Sequence, residues 1–148
     1  MTIADVATHR GYGTFDCGGA HIRAQCRHLA TVVTVRGDID AVNADRVYDH
    51  IRRFIMGSNP LVLDLSDVSH FAAAGVSLLR DVDDHCRAAG VEWTLVPGPA
   101  VVEVLGDARA DDEAAFPSVR SVREALQNLA DAIVSRRQLV LPLIKKTA

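Results

Sequence analysis

No stretch of this 148-residue chain approaches the roughly 18 apolar residues needed to cross a bilayer. Its opening, MTIADVATHRGYGTF, has no basic region followed by an apolar core and a cleavage site. A cytoplasmic protein with no membrane partner is therefore the expectation. Charge of one sign is scarce as well: 16 Lys and Arg against 19 Asp and Glu leave a net −3, which excludes nucleic-acid binding by bulk charge. Cysteine is sparse, and Cys17, Cys26 and Cys86 are odd in number and too far apart for a disulfide framework, so reduced thiols are expected. Neither Cys17-x8-Cys26-x-His28 nor the pair His85-Cys86 has a metal-site spacing such as CxxC or HExxH. Gly11-x-Gly13 precedes no helical pattern, and Pro97-Gly98-Pro99 lacks the glycines that let a backbone wrap a phosphate. No metal and no cofactor is expected.

What is present is a globular composition, 49% hydrophobic and 24% charged, in a length suited to one domain with tails. Residues 1–20, with Gly11, Gly13, Gly18 and Gly19, have neither strand nor helix period and read as a flexible arm. HIRAQCRHL (21–29) alternates apolar and polar residues, and ATVVTVRGDID (30–40) reads as a buried strand closed by a Gly37-Asp38 turn. The two would pair as a hairpin. NADRVYDHIRRFIMG sets Ala44, Val47, Ile51, Phe54 and Ile55 on one stripe, with Asn43 as N-cap and Gly57 as stop. PLVLDLS (60–66) reads as a strand, followed by a short polar loop. A helix then carries Leu79, Val82 and Cys86 on one face, while Asp81, Asp83 and Asp84 alternate with Arg80 and Arg87 as a solvated, charge-balanced face.

The same grammar repeats downstream. Val91 to Val96 reads as a strand, a Pro-Gly-Pro turn leads to a short helix ending near Gly106, and AFPSV reads as a short strand. Ser121 and Glu124 then form a capping box for a helix whose apolar face is Val122, Ala125, Leu126, Leu129 and Ile133. From residue 135 a tail holds an apolar cluster, Leu139 to Ile144, broken by Pro142. This alternation predicts an α/β fold: a mixed, mostly parallel sheet with an N-terminal hairpin strand and about four α-helices.

Three stretches in order, VRGDIDAVNA (35–44), LVLDLSDVSHFAAAGVSLL (61–79) and SVREALQNL (121–129), resemble the STAS family, the domain of bacterial anti-sigma-factor antagonists. The similarity spans residues 21–134, leaving the arm at 1–20 and the tail at 135–148. Gly37-Asp38-Ile39-Asp40 resembles the family's Gly-Glu-Leu-Asp-like turn, and Leu63-Asp64-Leu65-Ser66 its Leu-Asp-Leu-Ser strand. The family's Asp-Ser-Ser-Gly-like motif falls on Ala72-Ala73-Ala74-Gly75, so Ala73 stands at the phosphoacceptor position with no hydroxyl to modify. A phosphate there would add about −1.5 to −2 charges to an interface. Ser69 and Ser77 are the nearest hydroxyls to a displaced phosphosite.

The resemblance implies a non-enzymatic binding module. Its partner would be an anti-sigma factor of histidine-kinase-like ATPase fold, met by Asp38, Asp40 and Asn43 on the turn and by His70, Phe71, Ala72, Ala74, Gly75 and Val76 around the helix start. Binding would free a sigma factor. An alternative in the same class is a degenerate STAS module that meets other STAS proteins, a second copy or a signalling assembly. A different class is a small-ligand or nucleotide binder, with Asp38, Asp64 and His70 converging at the C-terminal sheet edge. Against it stand the absence of a nucleophile–base pairing and of a glycine-rich loop. Regulation by oxidation would use Cys17 on the arm with Cys26 or Cys86, although Cys86 on a core stripe reads more simply as a small buried hydrophobe. The cluster Gln138 to Ile144 would pack on the core, pair with a second copy or meet a partner.

Overall fold

The computed structural model describes residues 14–27, 29–55, 59–109 and 116–147. Five strands form one sheet in sequence order: β1 (Thr14–Cys17), β2 (Ala20–Cys26), β3 (Thr31–Ile39), β4 (Leu61–Phe71) and β5 (Trp93–Pro97). The first two pairings are antiparallel and the last two parallel. Among the described residues four helices accompany it: α1 (Ala44–Ile51, running into a short 3-10 turn at Arg52–Phe54), α2 (Ala73–Ala89), α3 (Pro99–Arg109) and α4 (Val122–Thr147). The expected α/β class, hairpin start and helix number are all present.

Several boundaries differ from the sequence reading. Residues 14–17 are a fifth strand rather than arm, because Gly18 and Gly19 at φ 45° and 103° make a tight turn that lays β1 back on β2. Residues 1–13 of the arm lie outside the described residues, as does the expected stop at Gly57. The stretch read as a polar loop, 67–71, is the far half of β4. The expected strand AFPSV contributes a single parallel bridge, Ser118 to Leu95. The tail expected from 135 is a continuation of α4 to Thr147, in which Arg, Gln, Leu and Lys favour the helix.

The extended β4 owes its form to two bulges. Thr34 faces Asp64 but Arg36 faces Asp67; Gly37 faces Val68 but Asp38 faces His70. Each bulge inserts one residue, so the core-facing positions Leu61, Leu63 and Leu65 at spacing 2 become Leu65, Val68 and Phe71 at spacing 3. On one side of the sheet Val47 and Ile51 of α1, Leu79, Val82 and Cys86 of α2, and Val101 of α3 pack on Ile22, Val33, Val35 and Leu63. On the other, Ala125 of α4 with Val122, Leu126 and Leu129 covers Val32, Val62 and Val96. The start of β4 is thus buried on both faces, which is why its sequence is a continuous apolar run. Asp83 leaves the solvated face expected of it and ties α2 to β5, accepting Trp93 Nε1–H at 2.9 Å while pairing with Arg87 at 2.7 Å.

Candidate functional site

The C-terminal ends of β3 and β4 carry the residues singled out in the sequence, and Asn43 organises them. Its side chain is fully buried. The amide group donates to the carbonyls of Cys17 at 3.0 Å, Gly18 at 3.1 Å and Asp38 at 2.8 Å, while its Oδ1 accepts Asp40 N–H at 3.0 Å. Asn43 therefore caps nothing with its side chain and presents nothing to a partner, contrary to both roles expected of it. Asp40 supplies the turn before α1 instead, its Oδ1 accepting Val42 N–H at 2.9 Å and Asn43 N–H at 3.1 Å. Gly37, at φ 94°, remains within β3, and the predicted Gly37-Asp38 turn is a bulge: a Cβ there would lie 2.3 Å from Gly19 O, so only glycine lets the β1–β2 turn approach.

Beyond this anchor the surface opens. His70 Nδ1 lies 2.9 Å from Asp38 Oδ1, and since a carboxylate only accepts, the imidazole donates through Nδ1. Both side chains are reachable from solvent, His70 at 81% exposure and Asp38 at 45%. Alongside, Ala72 N–H donates to Ile39 O at 2.9 Å, fixing the start of α2 to the end of β3. Ala72 has the extended backbone of an N-cap residue, φ −87° and ψ 173°, without a capping side chain. Ala72 and Ala73 are exposed; Ala74 and Val76 are partly buried.

Phe71 and Gly75, expected to face a partner, are instead core: Phe71 is 7% exposed and its ring lies against Gly75. Asp64, expected to converge with Asp38 and His70, is turned to Ser66, accepting its Oγ–H at 2.6 Å and its N–H at 3.0 Å. The exposed site is thus Asp38, Asp40, His70 and the Ala72–Ala73 edge.

Residues the sequence reading missed lie beside it. Asp16, His21, Arg36 and Asp67 stand in register across β1 to β4, and Asp16 hydrogen-bonds His21. With Thr14, Gly37 and Ser69, the last three line a shallow concavity of about 720 Å³. Strand alternation would have found this row had β1 and the bulged half of β4 been recognised. Among the described residues, no hydroxyl or thiol hydrogen-bonds to the histidine of either Asp–His pair, and no group of three or more His, Cys, Asp and Glu is placed to hold a metal. The arrangement presents exposed carboxylate, imidazole and guanidinium groups on one face of the sheet end.

The thiols do not gather. Cys17 is buried in β1, not carried on an arm, and burial pushes its pKa up with Arg46 partly opposing. Burial, with Asp83 adding to it, pushes Cys86 up to about 11. Only Cys26 is exposed, and all three are free. Two inaccessible, protonated thiols make the redox set expected from the sequence unworkable in the folded chain.

The STAS domain model matches residues 21–131. The chain belongs to the STAS family. This STAS protein is 57% identical to Osmosensory protein A of Mycobacterium tuberculosis (strain ATCC 25618 / H37Rv) over 149 aligned positions, covering 99% of the chain and 94% of that relative. Its fold matches an anti-sigma factor antagonist from Mycobacterium paratuberculosis at a TM-score of 0.62, with 24% identity over 75% of this chain and 94% of the other. It also matches the antagonist SpoIIAA in its unphosphorylated form at 0.58, with 16% identity over 74% and 96%. No described helix of the STAS protein is long and apolar enough to cross a membrane.

Proposed function

We propose that this STAS protein is a protein-binding regulator of the anti-sigma-factor antagonist kind, which engages an anti-sigma factor of histidine-kinase-like ATPase fold and so releases a sigma factor. The observation that carries the reading is the Ala72–Ala73 edge held beside the Asp38–His70 pair. Side chains no larger than methyl let a partner come close to the backbone at the start of α2, and the His–Asp pair next to it supplies polar contacts. Ala73 occupies the position where the family resemblance sets the phosphoacceptor. With no hydroxyl there, a partner kinase has nothing to phosphorylate, and the complex is not dispersed by added charge. SpoIIAA, described in its unphosphorylated form, shares the fold.

Calorimetric titration of the chain against the anti-sigma factors of its own cell tests this. Binding is expected for one of them, weakened about tenfold or more by Ala73→Arg with an unchanged melting temperature. With ATP present, Ala73→Ser becomes phosphorylated and the complex dissociates. No binding to any such factor sinks the reading, and a complex formed only with another STAS chain replaces it with the assembly-module alternative.

The relative named an osmosensory protein favours an osmotic-stress setting for this regulator. A deletion strain whose transcriptional response to osmotic upshift equals that of the parent would remove that setting.

A further inference from the structure

A second surface lies at the opposite end of the sheet. Between α4 and the β2–β3 connection runs a groove of about 550 Å³ lined by partly buried Leu29, Leu126 and Ala130, with exposed Arg27 and Arg123 beside them. Neither guanidinium is paired with a carboxylate among the described residues. Val122, Leu126, Ala130 and Val134 follow one another at four-residue steps, the ridge along which helices pack, and Val134 is 52% exposed. From Thr31 to Asp38 is seven steps of β3, roughly 23 Å at 3.3 Å per residue, so this surface is independent of the Ala72–Ala73 edge.

We infer that this groove docks an acidic amphipathic helix of a partner protein. An apolar ridge with partly exposed Leu29 and Val134 accepts the apolar stripe of a helix. Two unneutralised guanidiniums at the margins select carboxylates flanking that stripe, because a charge entering opposite them is steered and paired while a cation is repelled. The same charges disfavour a second copy's α4 as occupant. Beyond Val134 that helix carries Arg136, Arg137, Lys145 and Lys146, against only Glu124 and Asp131 along its length. With both surfaces filled, the domain would hold two proteins at once.

The probe is a fluorescein-labelled peptide of about 18 residues, long enough for a helix, with Leu at four-residue steps flanked by Glu. An analogue with Lys for every Glu is the control, and both are titrated against the full chain by anisotropy and amide chemical-shift mapping. The expected result is saturable binding of the Glu peptide, with shifts at residues 27–29 and 122–134. Affinity falls about tenfold or more in the Arg27→Glu/Arg123→Glu variant and in Ala130→Arg, both folded by their spectra. The proposal is overturned by no binding, by equal binding of the Lys analogue, by shifts lying elsewhere, or by a sedimenting dimer that Ala130→Arg dissociates. Loss of anti-sigma binding at Ala73 leaves these readouts untouched, so the two readings fail separately.

Discussion

The Phe71 ring fills the space a Cβ on Gly75 would need, with its Cε1 2.4 Å from that position. The last residue of β4 and the first turn of α2 are therefore packed ring on backbone. Gly75→Ala should gain the helix preference of alanine, about 0.5–1 kcal/mol. It should lose more to the clash, because the ring is buried and close-packed cores resist added methyl groups at about 1–3 kcal/mol. A lower melting temperature is expected, with Phe71→Leu in the same chain recovering part of the loss. Additive single effects in that double-mutant cycle would show that the contact is not the cause.

Ala72 already has the backbone of an N-cap and is exposed. Ala72→Asp should therefore add a hydrogen bond to the first turn and a favourable charge at the helix start, raising stability by about 1 kcal/mol. The urea midpoint should rise with an unchanged slope. An unchanged midpoint would mean that those N–H groups are already satisfied.

Asn43 is a costly polar position to alter, since its buried side chain makes four hydrogen bonds. Asn43→Ala removes the donors to three carbonyls and the acceptor for Asp40 N–H, an expected loss of about 1–3 kcal/mol for the buried groups left unpaired. Asn43→Asp turns a carboxyl toward those same carbonyls, which raises its pKa in the fold above the ordinary value near 3.9. The unfolded chain then ionises first as pH rises, so this variant should lose stability progressively above about pH 4 relative to the parent. Parallel pH profiles of the two proteins would contradict the geometry.

The thiols give a labelling prediction. A thiol-reactive dye should modify Cys26 at once in the native protein, and Cys17 and Cys86 only after unfolding. Cys86, held near 11 against an ordinary 9.0, contributes stability that is intact below pH 9 and lost as pH rises from 9 toward 11, since the unfolded thiol ionises first. Rapid modification of all three thiols in the folded state would refute the burial of Cys17 in β1 and of Cys86 in α2.

Where the sequence repeats with a simple period, it discloses its structure. Val47 and Ile51 on α1, Val82 and Cys86 on α2, and Ser121 beneath Glu124 N–H at 3.1 Å all stand as the spacing requires. The misreadings occur where a non-local contact overrides the period. SDVSHF has no alternation because two bulges reset its register, and the bulges exist only opposite β3. Residues 14–17 are too few to show a period, and they are held by pairing with β2 and by a side chain 26 positions away. Asn43 has the composition of a cap, and only the three carbonyls around it give it a different task. In the site, Asp38 and His70 meet because the second bulge brings them opposite, whereas Phe71 and Gly75, drawn in by the motif, are claimed by the core.

One side-chain amide bonded to the carbonyls of Cys17, Gly18 and Asp38 also makes a statement about cooperativity. Strand edges ordinarily fray singly, but here releasing β1 strips Asn43 of two acceptors and loosens the end of β3 at Asp38 and the turn at Asp40. The edge hairpin and the Asp38–Asp40 segment, separated by more than 20 positions in the chain, then open as one unit. Their amides should share a single exchange rate, and Asn43→Ala should split it into two.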